Sequence, residues 1–333
     1  MGGVEKHHFG VGKNLIVMDL KKTIKRLHRK QINDTLWNQC VTNSQANLGY
    51  AHCEYLDAIC EDEWQGLVYG NYDAVFPLPI KKLGGFLPYV VQPKFCQQLG
   101  VFRNSDECHE TDFIHYIPWY FLRIRLHLNS YLNQKYSEIL HPNKTNFVVD
   151  LSQPVEINKD GQKNIKAVGH FQYSINSIPT RVVIELYKQR WGSLNMEIQD
   201  HDYRRLELAV EKLGLIDDFI KQEIGFVLVS AHLNSAENAD TNKMATEETL
   251  GAGLFLVTAQ GRFNFAHFVL GAPNVLLKES EGIMHGIINK AIQTFQPHCK
   301  YFDFEGSSIP SVANFYKKFN PQDIPFRILK KGL

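Results

Sequence analysis

Residues 299–320 read CKYFDFEGSSIPSVANFYKKFN, and this stretch decides the fold. It opens with apolar alternation at Tyr301-Phe302-Asp303-Phe304, the period of a strand. Glu305-Gly306-Ser307-Ser308 makes a turn. Ser308 then stands as the expected N-cap, and Pro310 sits where a proline opens a helix. Val312, Phe315, Tyr316 and Phe319 recur at i, i+3, i+4, i+7 and define one apolar helix face. Asn320 and Pro321 stop the helix, because Asn tolerates the left-handed conformation at a helix end and Pro cannot continue one. A second strand is expected over 325–330.

Working outward, the 333 residues suffice for about two domains, and 44% hydrophobic content suffices for a packed core. Thirty-six basic against thirty-five acidic residues leave a net charge of +1, which excludes a surface that is basic all over, as wholesale nucleic-acid binding would require. No apolar run has the length of a membrane span, and no signal peptide opens the chain. Six scattered cysteines without a CxxC pair read as reduced, buried thiols, so the expected location is cytoplasmic.

The rest of the chain alternates helices and strands. Residues 1–28 read as a peripheral segment. Residues 21–30 (KKTIKRLHRK) are strongly basic, and Leu20, Ile24 and Leu27 predict a helical stripe; this is either a solvated helix edge or a contact for phosphates or an anionic membrane. Asp34 is the expected cap of a helix holding Trp37, Cys40 and Val41, and 50–60 a second helix. Residues 65–69 and 74–80 form a hairpin, 86–92 a third strand, 111–120 a helix, 121–128 and 146–151 strands. After 153–157 the plan repeats: helices over 159–168, 179–191 and 202–213, a strand over 225–232, a polar mobile loop over 233–249, a hairpin of 253–258 with 263–270, and a helix over 283–295. The hairpins GLVYGNYDAVFPLPI from Gly66 and GLFLVTAQGRFNFAHFVL from Gly253 start alike and occupy equivalent places. The fold class is α/β, an α+β mixed sheet, with one domain at 29–153 and another at 154–333.

The order of the second half resembles the GNAT acyltransferase fold. GNAT enzymes often end in a helix of the form Ala-x-x-leucine-tyrosine-x-x-x-glycine; here Phe315-Tyr316-Lys317-Lys318-Phe319-Asn320 takes that place, with Ala313 one residue nearer the tyrosine. The duplication resembles the Fem-type (FemABX-like) peptidyltransferases, whose C-terminal signature of aspartate-phenylalanine-x-glycine followed by a phenylalanine-lysine helix is similar to Asp303-Phe304-Glu305-Gly306 and residues 315–319. YLDAIC, DAVFPLPIKK and QPKFCQQLGVF look most like a group of bacterial proteins with this double-GNAT layout, over about residues 30 to 330.

The resemblance implies two tandem GNAT-like domains. It also implies transfer of an acyl or aminoacyl group to an amine, with a small molecule or a peptidoglycan precursor as acceptor. Acyl-CoA or aminoacyl-tRNA is then the implied donor. Tyr316 falls on the family's general acid. The family lysine beside the helix phenylalanine is displaced, leaving Lys317 nearest. Only Gly271-Ala272-Pro273-Asn274 stands where the coenzyme A phosphate loop belongs, and Glu248-Thr249-Leu250-Gly251-Ala252-Gly253 precedes a strand instead.

Acyl transfer needs a base, oxyanion donors and an acid. Tyr316 as acid, Lys317 or a strand amide as oxyanion partner and Glu305 as base fill those roles; a core tyrosine with a tethered hydroxyl and a turn glutamate are the alternatives. Tyr89, Gln92, Lys94, Gln97 and Gln98 leave one strand together and are candidate cleft residues, against a loop pinned by Pro93. Lys163, Lys166 and Arg190 are candidates for clamping a phosphate or carboxylate, against solvated helix faces. Cys108-His109-Glu110-Thr111-Asp112 with His115 fits no metal spacing, and no metal is expected. A non-catalytic GNAT-fold binding protein without the phosphate loop is the alternative function.

Overall fold

A computed structural model describes residues 23–104, 107–129, 140–233, 249–307 and 309–332, with side chains from 144 onward in the strand that begins at Leu140. The first half runs β1 (Ile24–His28), α1 (Asp34–Asn43), α2 (Cys53–Cys60), β2 (Trp64–Tyr69), β3 (Ala74–Leu83), β4 (Leu87–Val91), β5 (Phe102–Arg103), α3 (Glu110–Tyr116), β6 (Ile124–Leu128) and β7 (Leu140–Asp150). The second runs α4 (Lys159–Val168), β8 (Gln172–Ile175), α5 (Thr180–Trp191), α6 (Asp200–Leu213), β9 (Ile224–His232), β10 (Thr249–Thr258), β11 (Phe265–Pro273), α7 (Ile283–Phe295), β12 (Tyr301–Asp303), α8 (Pro310–Tyr316) and β13 (Gln322–Lys331).

Twelve of these strands lie side by side in the order β1-β2-β3-β4-β6-β13-β7-β12-β11-β10-β9-β8, with β5 beside β3. The order is a palindrome in structural terms. Each half contributes an antiparallel run of four strands, a parallel partner reached through a helix (β4 with β6, β11 with β12), and a last strand. The last strands are exchanged: β13 pairs with β6 of the first half, β7 with β12 of the second, and the two pair with each other at the centre. The expected boundary at 153–157 falls in the connection between β7 and α4.

Two apolar clusters hold the sheet. One joins α1, α2 and the first-half strands to Val182, Val183, Leu206 and Ala209 of α5 and α6, so it runs across both halves without a break. The other lies under α7 on the opposite face of β9–β12, around Phe255, Ile287, Phe295 and Phe302. Strand β10 is buried at every residue, as a strand covered on both faces must be. Its glycines make room: a Cβ on Gly251 would stand 2.9 Å from Ile283 Cγ2 of α7. The small-residue run beginning at Thr249 is thus strand interior.

Several expectations change. Residues 24–28 form an edge strand, because five-residue pairing with β2 outweighs the helical spacing of Ile24 and Leu27; residues 1–22 lie outside the described residues. Asn33, one residue before Asp34, caps α1 by accepting from Leu36 N at 3.1 Å. Ile309 precedes α8 as its N-cap without a side-chain bond, and Ser308 lies outside the described residues. The α-helix ends at Tyr316 and tightens to a 3-10 turn over Lys317–Phe319, closed by Asn320 at φ 50°. The four-residue edge strand β8 is absent from the sequence reading, and 234–248 of the expected polar loop lie outside the described residues.

Candidate functional site

The site lies where β11 and β12 part. Their parallel ladder lasts three residues, ending at His267 opposite Asp303. Beyond it Phe304 N donates to Phe147 O at 2.9 Å, so the chain after β12 follows β7 instead. Glu305 and Gly306 both take positive φ, 62° and 68°, and turn away. Only glycine fits at 306, where a Cβ would stand 2.1 Å from Thr145 O. On the other side β11 runs on to Pro273 paired to β10 alone, with Val269 as an extra residue in the ladder, a bulge at the point of divergence. The opened wedge is a cavity of about 790 Å³.

The cavity is mostly apolar, walled by Phe147, Phe268, Leu270, Phe304, Phe315 and Phe326. The first turn of α7, Ile283 to His285, and the end of α5, Tyr187 to Trp191, close its two sides. Polar groups interrupt this apolar wall. Glu305 reaches the lining, yet its Oε1 is buried without a hydrogen-bond partner. Burial pushes its carboxyl well above the ordinary range. Tyr316 also lines the cavity, stacked on Phe304 with ring centres 4.5 Å apart. Its phenol is pushed up by burial first, then by Tyr187, Glu305 and Asp303.

Behind Glu305 lies a group that sequence reasoning passed over. His267 Nδ1 is 4.0 Å from Glu305 Oε1 and 3.5 Å from Asp303 Oδ2, and both ring nitrogens are buried without partners. Asp303 Oδ2 accepts from Asn146 Nδ2 at 2.8 Å, and Tyr50 packs on the imidazole at 4.9 Å. A lone histidine in an apolar strand gives no signal by itself. Only the β11–β12 register reveals it.

At the first-half rim stand Gln97, His127 and Lys144. Gln97 O accepts from His127 Nδ1 at 3.0 Å, since a carbonyl can only accept, which leaves Nε2 as the acceptor nitrogen. Burial, then Lys144, lowers His127 to about 4. Lys144 is itself held below the usual ammonium range by burial first and then by Arg125, with Glu197 opposing and Lys94 adding to the shift.

Of the residues singled out from sequence, the cavity thus gathers Tyr316, Glu305, Gln97 and Arg190, the last exposed and stacked 4.3 Å over Trp191. Lys317 is exposed, its Nζ 6.0 Å from the Phe147 ring and outside the lining. Lys163 is exposed on α4. Tyr89 borders a separate surface hollow beside Arg205, and Lys94 pairs with Glu197 at 2.9 Å. Gln92 and Gln98 are built into the fold. Gln98 is 3% exposed. Gln92 Nε2 donates to Cys96 O at 2.6 Å, and its Oε1 accepts from His127 N at 3.0 Å. Leu99 N then donates to His127 O at 2.7 Å. Residues 92–99 therefore fill the wedge between β4 and β6 that corresponds to the open one between β11 and β12. Among the described residues no group of three His, Cys, Asp or Glu side chains is placed to hold a metal ion.

No protein-family model and no curated protein matches the chain. Solved structures do. FemX matches at TM-score 0.59 and 10% identity, over 91% of this chain and 96% of that one. The C-terminal domain of a protein designated a lysylphosphatidylglycerol synthetase, from Agrobacterium fabrum, matches at TM-score 0.50 and 9% identity, over 90% of each chain. The protein has the Fem-like, double-GNAT acyltransferase fold. No helix among the described residues is long and apolar enough to cross a membrane.

Proposed function

We propose that the protein is a transferase that moves an acyl or aminoacyl group from an activated carrier to an amine bound in the β11–β12 cavity. The observation that carries this reading is Glu305: a largely buried carboxyl whose Oε1 is buried without a partner, at the lining of the wedge between β11 and β12. Burying a carboxyl without a partner is costly, and such groups concentrate at catalytic sites.

In this reading the acceptor nitrogen attacks the donor carbonyl. An N–C bond forms, and the C–S bond of a thioester or the C–O bond of an ester breaks. Glu305 in its ionised form takes the proton from nitrogen, and burial makes that carboxylate the stronger base. Tyr316 gives its proton to the departing sulfur or oxygen. The edge of β11 beyond His267 has no strand partner among the described residues and offers N–H groups to the developing oxyanion. The His267 imidazole backs Glu305 at 4.0 Å and lies 3.5 Å from Asp303, which Asn146 holds in place. Positive charge around Lys144, Arg125 and Arg190 suits a phosphate-bearing carrier, which both acyl-CoA and aminoacyl-tRNA are. Units at 29–153 and 154–333, tied by the exchanged strands, complete the proposal.

The test is transfer of label from a panel of acyl-CoAs and aminoacyl-tRNAs to amines, including peptidoglycan-precursor peptides, by the wild type and Glu305→Gln. Transfer that survives the substitution at full rate removes Glu305 from the mechanism. One observation favours a second reading, a binding protein without catalysis: the connection 274–282 contains a single glycine, Gly282, and exposes Val275 and Leu276, where a phosphate loop would need open backbone amides. Calorimetric binding of a precursor peptide without turnover of any donor supports that reading instead.

A further inference from the structure

Four strand ends meet along one edge of the first-half sheet. Leu83 at the end of β3 pairs with Leu87 at the start of β4. Val90 of β4 pairs with Ile124 at the start of β6, and Ile124 pairs with Lys331 at the end of β13. This edge carries apolar side chains that nothing covers: Leu83 is 67% exposed, Phe86 74%, Leu87 40% and Leu122 63%. Three of them sit on one hairpin tip, turned by Gly84 and Gly85 at φ 60° and 83°. Around them stand the exposed cations Lys81, Lys82, Arg123, Lys330 and Lys331. Among the described residues only Glu63 forms an ion pair with any of these, holding Lys82 at 3.3 Å.

From this geometry we infer that the edge is a docking surface for an anionic lipid bilayer. A projecting tip of Leu and Phe inserts below the headgroups, while the cations flanking it meet anionic phosphates. A polynucleotide suits the edge less well. Three of the four apolar groups are leucines, which give no face for base stacking. A second copy of the chain suits it less well too, because the cations would face their own kind across a two-fold contact.

The experiment is co-flotation of the full chain with phosphatidylcholine vesicles and with vesicles holding 30% phosphatidylglycerol by composition (about one lipid in three, enough to set a surface potential). The wild type is expected to float with the anionic vesicles at low salt and to release at high salt. Leu83→Ser combined with Phe86→Ser removes solvent-exposed groups only, so the fold persists, checked by circular dichroism; its partitioning falls by at least about tenfold. Replacing Lys330 and Lys331 by Gln lowers partitioning by about fivefold per cation. Failure of the wild type to float with anionic vesicles overturns the inference, as does unchanged flotation of both variants. Loss of RNA binding or of self-association in the Ser variant, without vesicle binding by the wild type, overturns it in favour of those occupants.

Discussion

Replacing Glu305 by Gln keeps the size of the side chain and removes its titration, so stability and activity separate in one variant. The wild-type carboxyl is raised in the folded state by burial. The folded protein therefore holds this proton to higher pH than the unfolded chain does. Stability is full below the unfolded carboxylate range near 4.3 and falls as pH rises toward the folded value, by up to about 1.4 kcal/mol per pH unit for one proton. Glutamine pays no such penalty. At pH 4 the two proteins melt together. Above it the variant gains on the wild type by up to about 3 °C per pH unit, at about 2 °C per kcal/mol for a chain of this size. Transfer moves the other way. Loss of a general base costs on the order of 10²–10⁴ in rate, about 3 to 5 kcal/mol of barrier. Differential scanning fluorimetry across pH, paired with the labelled-transfer assay, reads both. A variant that melts in parallel with the wild type at every pH refutes the burial argument. One that is stabilised at high pH but transfers within threefold of the wild-type rate refutes the catalytic role alone.

Tyr316→Phe keeps the ring stack on Phe304, so its melting temperature should stay within a few degrees while transfer falls about a hundredfold, measured in the same assay. Lys317→Ala, at an exposed position outside the cavity lining, should leave transfer within threefold. Gly306→Ala places a methyl against Thr145 O at a positive φ and should lower stability by at least about 2 kcal/mol in urea titration. Burial pushes the Cys40, Cys60 and Cys299 thiols up to about 12 and Cys108 to about 11, so a neutral-pH thiol reagent should label almost nothing until denaturant is added.

Where local pattern governs, the sequence was readable. The bounds of α4 and α7 are those expected from the sequence, and the strand-turn-helix around Glu305-Gly306 follows from alternation and a proline. Where pairing partners are distant, it was not. Ile24 and Leu27 are three apart and read as helix, yet β2 recruits them into a sheet. Gln92 has the chemistry of a ligand-reading amide but spends both ends on Cys96 and His127. His267 becomes notable only when β11 and β12 come into register, and the cationic rim at Lys144 and Arg125 only when β7 and β6 take β13 between them.

The exchange of β7 and β13 has a kinetic side. Neither half can complete its own sheet: β6 waits for a strand that lies some two hundred residues further along the chain, since Leu128 pairs with Arg327. Until then β6 and β7 present open edges, which pair readily with other chains. Such long-range closure makes folding slow and leaves partly made sheets exposed during synthesis. Removing β13 should therefore yield aggregation rather than a folded first half. The two halves should unfold in one transition, since neither can let go of its partner's strand and keep its own.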